Sequence, residues 1–265
     1  LISIFRNELN ATRKGLKVAF CSYTGKAARV LQNKIDETDS SFLQDTVSTI
    51  HSLIYSPQVN EKEEITGWKL KDELEADLII IDEASMVDEK IWQDLLSFDV
   101  PIIAVGDHGQ LPPINGNFNL MASPQIKIEK IHRQAEGNPI IHLSALARND
   151  GKIPYGRHSN SVIKFDRADP ESQETLSEYL RAYNPNTLIL CGYNTTRIKL
   201  NNFIRTALEI FDQHPQPGDR VICLRNNHVK QIANGMLGTI EKIEGADKKS
   251  DFYQAEIRMD GIKDL

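Results

Sequence analysis

The sequence predicts an α/β fold centred on a parallel sheet, and three observations carry that prediction. Leu78-Ile79-Ile80-Ile81 is a continuous apolar run that ends on two adjacent carboxylates, Asp82 and Glu83. A second run, Ile102-Ile103-Ala104-Val105, ends on Gly106-Asp107-His108-Gly109-Gln110. Between them, residues 88–98 are amphipathic at helical spacing, which gives a strand–helix–strand alternation. Strands buried on both faces read as continuous apolar runs, and a parallel sheet presents polar side chains at its carboxyl edge, where ligands bind.

The other elements follow in chain order. Leu1, Ile4, Phe5 and Leu9 recur at helical spacing, so residues 1–15 read as the end of a helix. Residues 17–22 form a short apolar strand, and 25–34 a helix with Ala27, Ala28, Val30 and Leu31 on its inner face. Residues 46–54 read as a further helix, capped near Ser48 or Thr49. Between about 56 and 75, β-forming residues flank Gly67, which predicts a protruding hairpin that carries Trp68. Residues 126–131 read as a strand that closes a first domain over 1–135. Helices are expected over 138–149, 173–183 and 195–208, with an apolar strand at 187–191 that opens a second α/β domain within 136–213. From 214 to 265, short β-like runs at 220–224, 238–243 and 252–259 alternate with turns such as Asn234-Gly235. This spacing suggests a small antiparallel barrel or curled sheet.

Composition excludes some classes. With 40% hydrophobic and 26% charged residues, the 265-residue chain is an ordinary globular protein. No apolar run approaches the roughly 20 residues that span a bilayer. Cys21, Cys191 and Cys223 are widely separated, and read as reduced, buried thiols of a cytoplasmic protein. The net charge of −6 gives no bulk attraction for nucleic acid, so any such binding would come from a local groove.

The Asp82-Glu83 segment looks like the Walker B strand end of a nucleotide hydrolase. Taken with Gly106-Asp107-His108-Gly109-Gln110-Leu111-Pro112-Pro113, it resembles the RecD-like group of superfamily 1 DNA helicases. Thr24-Gly25-Lys26-Ala27-Ala28 is similar to that family's motif Ia, Thr49-Ile50-His51 to Ib, and Ile131-His132-Arg133-Gln134 to the arginine-bearing motif IV. Pro217-Gly218-Asp219-Arg220-Val221 and Asn234-Gly235 with Gly238 match later elements. The resemblance implies a RecA-like motor domain, part of a second one, and a small β-barrel-like insertion that closes over single-stranded DNA. It departs from the family at two places. No Gly-x-x-x-x-Gly-Lys-Ser/Thr phosphate loop is present, because Phe20 and Ala27 stand where the first Gly and the hydroxyl would have to be. Tyr23 replaces the usual Pro of motif Ia. The C-terminal motifs V and VI are also absent, and the chain reads as an internal fragment, inactive alone, of a longer helicase.

The resemblance assigns roles residue by residue. The cofactors are ATP and Mg2+. Asp82 holds the metal through water, Glu83 is the general base, Gln110 senses the γ-phosphate and Arg133 is the arginine finger. Asp107 buttresses its loop, Pro112-Pro113 stiffens it, and His132 is structural with Gln134 beside it. Thr24, Gly25, Lys26, Thr49 and His51 meet the strand phosphates, and Arg197, Asn201 and Asn202 face the same groove. Trp68 sits on a strand-separating pin, or else packs its hairpin onto the domain surface. The implied activity is 5′-to-3′ unwinding, with single-stranded DNA and the duplex junction as partners. The alternatives are a non-hydrolysing DNA-binding module and the helicase subunit of a nuclease complex, with nuclease, replication or repair proteins as partners.

Overall fold

A computed structural model describes residues 2–40, 42–60, 65–110, 113, 118–128, 138–212, 214–224, 230, 232, 234–245 and 252–261. The chain divides into two compact units, Leu1–Lys127 with Gln216–Leu265, and Ile128–Pro215.

The first unit begins with helix α1 (Ile2–Thr12), strand β1 (Val18–Ser22) and helix α2 (Gly25–Glu37). Strand β2 (Thr46–Thr49) runs directly into the short helix α3 (Ile50–Ile54), and a hairpin of β3 (Tyr55–Val59) and β4 (Ile65–Leu70) follows. Next come β5 (Leu78–Asp82), a 3-10 turn at Ala84–Met86, α4 (Glu89–Leu96) and β6 (Ile102–Ala104). Four strands form one sheet in the order β2-β1-β5-β6, and every neighbouring pair in it is parallel.

Alternation along the strands divides the core. Ala19, Cys21, Ile79 and Ile81 pack with Ile50 and Ile54 of α3 and Leu95 of α4. Val18, Phe20, Leu78 and Ile80 pack with Leu31 and Ile35 of α2. Successive side chains of a strand point to opposite faces, so the unbroken apolar runs reflect a sheet covered on both sides.

A buried ion pair anchors α1. Arg6 and Asp45 lie 2.8 Å apart with side-chain exposures of 1% and 2%. Asp45 also accepts from the backbone N–H groups of Val18 at 3.2 Å and Phe42 at 3.2 Å, and the Arg6 guanidinium stacks on the Phe42 ring. Breaking a buried pair strands a charge, so Asp45→Ala should cost about 3–5 kcal/mol of stability. Urea unfolding monitored by circular dichroism reads this directly. An unchanged midpoint would show that the clamp is dispensable.

Three sequence expectations change here. Residues 46–49 form a strand rather than the first turn of a helix, because the helix starts only after its cap, Thr49. Residues 126–128 are not in a strand, and Ile126 and Ile128 are exposed. Residues 129–131 lie outside the described residues. Of the cysteines, Cys21 is buried, with burial pushing its thiol up to about 12, whereas Cys191 is exposed.

The second unit holds α5 (Pro139–Asp150), a small hairpin of β7 (Gly156–Ser159) and β8 (Val162–Lys164), α6 (Pro170–Arg181) and α7 (Asn194–Ala207). Asn138 and Asp169 cap α5 and α6 with their side chains. The strand expected at 187–191 does not form. Leu188 and Leu190 are 75% and 84% exposed. A strand needs a neighbour for its backbone groups, and no described residues pair with this segment.

Back in the first unit, β9 (Arg220–Ile222), β10 (Leu237–Glu244) and β11 (Gln254–Met259) form an antiparallel sheet in the order β11-β10-β9. The described residues make a three-stranded sheet and do not close it into a barrel. Gly218, at φ 93°, makes the turn into β9 and donates its N–H to the Ile240 carbonyl at 2.8 Å. Gly235, at φ 86°, makes the turn into β10. Both glycines sit where only a residue without Cβ is unstrained.

Candidate functional site

The sheet register brings three motif ends to one level. Ser22 at the end of β1 pairs with Thr49 on one side and Asp82 on the other. All three therefore stand in one row at the carboxyl edge, the edge at which open α/β sheets bind ligands. Ser22 is fully buried, and its hydroxyl donates to the Asp82 carbonyl at 3.1 Å.

The turn after β5 is unusual. Asp82 Oδ1 accepts from the Glu83 N–H at 3.0 Å, and Glu83 adopts the left-handed conformation with φ 57°. A non-glycine residue there is strained, and such strain is concentrated at functional turns. Both carboxylates are half-buried.

This turn is laced to the loop after β6. The Ala84 N–H donates to the Val105 carbonyl at 3.0 Å, and the buried Ser85 hydroxyl donates to Gln110 Oε1 at 3.2 Å. Asp107 closes its own loop by accepting from the Gly109 N–H at 2.8 Å. Gly106 lies against the turn so closely that a Cβ would meet Ser85 N at 3.0 Å, Ala84 N at 3.2 Å and Met121 Sδ at 2.8 Å. Gly106→Ala should therefore push the two loops apart. We expect a loss of about 1–3 kcal/mol in stability. Thermal melts check it, and a variant with the wild-type melting temperature would refute the close approach.

On the strand side of the edge, Thr24 caps α2 by accepting from the Ala27 N–H at 3.2 Å. Thr49 caps α3 in the same way, accepting from the Ser52 N–H at 3.1 Å. Both hydroxyls are thus committed to helix starts, and Lys26 stands exposed beside the first cap. His51 contacts Trp68 edge to face, with ring centroids 4.8 Å apart, so these two expected DNA contacts touch each other. Trp68 remains 47% exposed.

Arg133, His132, Gln134 and Pro112 lie outside the described residues. Asn202 lines a cavity of about 400 Å³ between α6 and α7, along with Arg181, Phe203, Thr206 and Ala207, while Arg197 and Asn201 are exposed on α7. Among the described residues no cluster of three His, Cys, Asp or Glu could hold a metal by itself. The sequence reading passed over Ser22, Ser85, Tyr55 and Asp94. Ser85 had a signal in its place two residues after Glu83.

The AAA domain family model matches residues 5–164, more than half of the chain. The chain belongs to the AAA domain family. The relatives it is similar to are RecD-type proteins. It is 29% identical to the ATP-dependent RecD2 DNA helicase of Deinococcus radiodurans over 274 residues, covering 94% of this chain and 35% of that protein. It is 31% identical over 118 residues to the RecBCD enzyme subunit RecD of Buchnera aphidicola subsp. Acyrthosiphon pisum, covering 40% of this chain and 19% of that one. The chain thus spans about a third or less of these relatives. The fold is shared with the Bacteroides Pif1 helicase solved with ADP-AlF3 and ssDNA, at TM-score 0.51 and 19% identity, covering 97% of this chain and 66% of that one. A Pif1 structure described for DNA unwinding at forked dsDNA gives TM-score 0.53 at 20% identity, with coverages of 97% and 67%. No described helix is long and apolar enough to cross a membrane.

Proposed function

We propose that this chain is the central part of an ATP-dependent DNA helicase that moves 5′-to-3′ on single-stranded DNA. The observation that carries the reading is the row Thr49–Ser22–Asp82, which stands on one sheet edge and supports neighbouring strand-binding and nucleotide-binding motifs. Asp82 suits magnesium, which keeps most of its waters and takes one or two carboxylates plus phosphate oxygens. The bound ion would neutralise charge on the transferring phosphoryl group. Glu83 takes a proton from the attacking water, and Gln110, steadied by Ser85, reads the γ-phosphate. By the motif it resembles, Arg133 is the arginine finger of this reading. Thr24, Gly25, Lys26 and Thr49 hold the strand through the backbone amides of the helix starts that the two threonines cap. The hairpin bearing Trp68 splits the duplex.

The domain organisation that accompanies this reading is a motor domain over 1–135, the start of a second over 136–213, and a β insertion over 214–265. The 265-residue chain alone is inactive, since its sequence supplies no phosphate loop. Relatives named as RecBCD subunits favour a nuclease partner in a cytoplasmic complex. The test uses the full-length protein: phosphate release with and without single-stranded DNA, and unwinding of duplexes with a 5′ or a 3′ tail. Stimulated hydrolysis with unwinding from the 5′ tail is expected. DNA binding without turnover would instead establish a non-hydrolysing module.

A further inference from the structure

We infer that His51 is a positioning residue that sets the pitch of the β3–β4 hairpin against α3 and bears on Trp68. The inference rests on the proposed motor reading for its consequence, and on ring geometry for its substance.

The His51 ring contacts Tyr55 at 4.4 Å between centroids, tilted by 51°, and Trp68 at 4.8 Å, nearly perpendicular at 80°. These two partners are on opposite strands of the hairpin. Tyr55 opens β3 and pairs with Leu70, and Trp68 on β4 pairs with Pro57. One side chain of α3 therefore touches both strands, two register steps apart. Edge-to-face ring pairs are worth about 0.5–1.5 kcal/mol beyond their burial, enough to bias an angle but not to hold a fold.

The hairpin root is fixed by other means. Lys71 Nζ donates to the Ser52 carbonyl at 2.9 Å and the Leu53 carbonyl at 2.7 Å, and the Lys71 N–H donates to the Ile54 carbonyl at 2.9 Å. The Tyr55 hydroxyl donates to the Asp94 carboxylate on α4, the helix that follows the Asp82-Glu83 turn. Trp68 lies two residues further out, and His51 meets it there. Burial and the nearby Lys90 charge hold the imidazole below its ordinary range, which suits a neutral ring packed on rings better than a cation on phosphate.

The test compares His51→Ala with His51→Phe in the full-length protein. Both are also made in a Trp92→Phe background, so that Trp68 is the sole tryptophan of this segment. His51→Ala should red-shift Trp68 emission and lower forked-duplex unwinding several-fold. Any loss of single-stranded DNA affinity should be smaller than the loss of unwinding, because the ring acts on Trp68 and not chiefly on the strand. His51→Phe keeps a ring and should restore both emission and unwinding. Equal loss of single-strand affinity in both variants would overturn the inference, because His51 would then contact the strand through a ring nitrogen. Unchanged emission and unwinding in His51→Ala would overturn it as well. If the unsubstituted protein neither hydrolyses ATP nor unwinds DNA, the motor reading fails, and the emission comparison still decides the ring contact.

Discussion

Glu83→Gln should slow single-strand-stimulated ATP turnover by about 10²- to 10⁴-fold, the range a positioned general base supplies. Nucleotide affinity and melting temperature should stay near wild type. The geometry explains why these separate. The hydrogen bond that shapes the turn runs from the Glu83 backbone N–H to Asp82 Oδ1, so it does not use the Glu83 side chain. Gln matches Glu in size and cannot take a proton from water. The left-handed φ of 57° belongs to the backbone and stays. Asp82→Asn should behave differently, weakening magnesium-dependent nucleotide binding as well as turnover, because on the proposed reading the carboxylate that would hold the metal through water is lost. Phosphate release, nucleotide titration and thermal melting on one preparation measure all three effects. A Glu83→Gln protein that turns over within an order of magnitude of wild type would remove Glu83 from the role of base.

The parts of this site legible in the sequence are those written within a few residues. The run 78–81 announced a buried strand and its two terminal carboxylates because both faces of the sheet are covered. Thr49, weighed with Ser48, announced a helix start because a short polar side chain ahead of an apolar stretch caps exposed N–H groups. Strand β2 was hidden. Its four residues, Thr-Val-Ser-Thr, are too short and polar to show a period, and they merge into the helix behind them. The expected strand at 187–191 shows the opposite error. An apolar run records only a tendency to be covered, and a strand exists only where a neighbour supplies the hydrogen bonds. The contacts that connect the motifs left no local trace. Ser85 meets Gln110 across 25 positions, and Tyr55 meets Asp94 across 39. Gly106 looked like part of a motif, but its reason is steric, the backbone of Ala84 and Ser85 lying where its Cβ would be.

Shortening the hairpin should separate unwinding from ATP hydrolysis. The structure indicates where to cut. Lys71, Tyr55 and Leu70 must stay, because Lys71 holds α3 and Tyr55 holds α4. Pro57 pairs with Trp68, and the next pair inward is Ser56 with Lys69. Replacing residues 57–68 with Asn-Gly leaves Ser56 and Lys69 flanking a two-residue turn, the sequence that favours a tight type I′ hairpin. Among the described residues removed none belongs to the buried core: Val59 and Ile65 are exposed and Trp68 is about half exposed. Melting temperature and single-strand-stimulated ATPase should therefore stay close to wild type. Unwinding of a forked duplex should fall by about tenfold or more, as loss of base stacking worth about 1–3 kcal/mol at the junction would require. Trp68→Ala should show a smaller loss in the same direction. If the ring serves only to pack the hairpin onto the domain, Trp68→Ala should instead lower the melting temperature, with unwinding falling in step with the folded fraction. Equal loss of ATPase and unwinding in a fully folded shortened protein would show that the hairpin belongs to the motor and does not split the duplex.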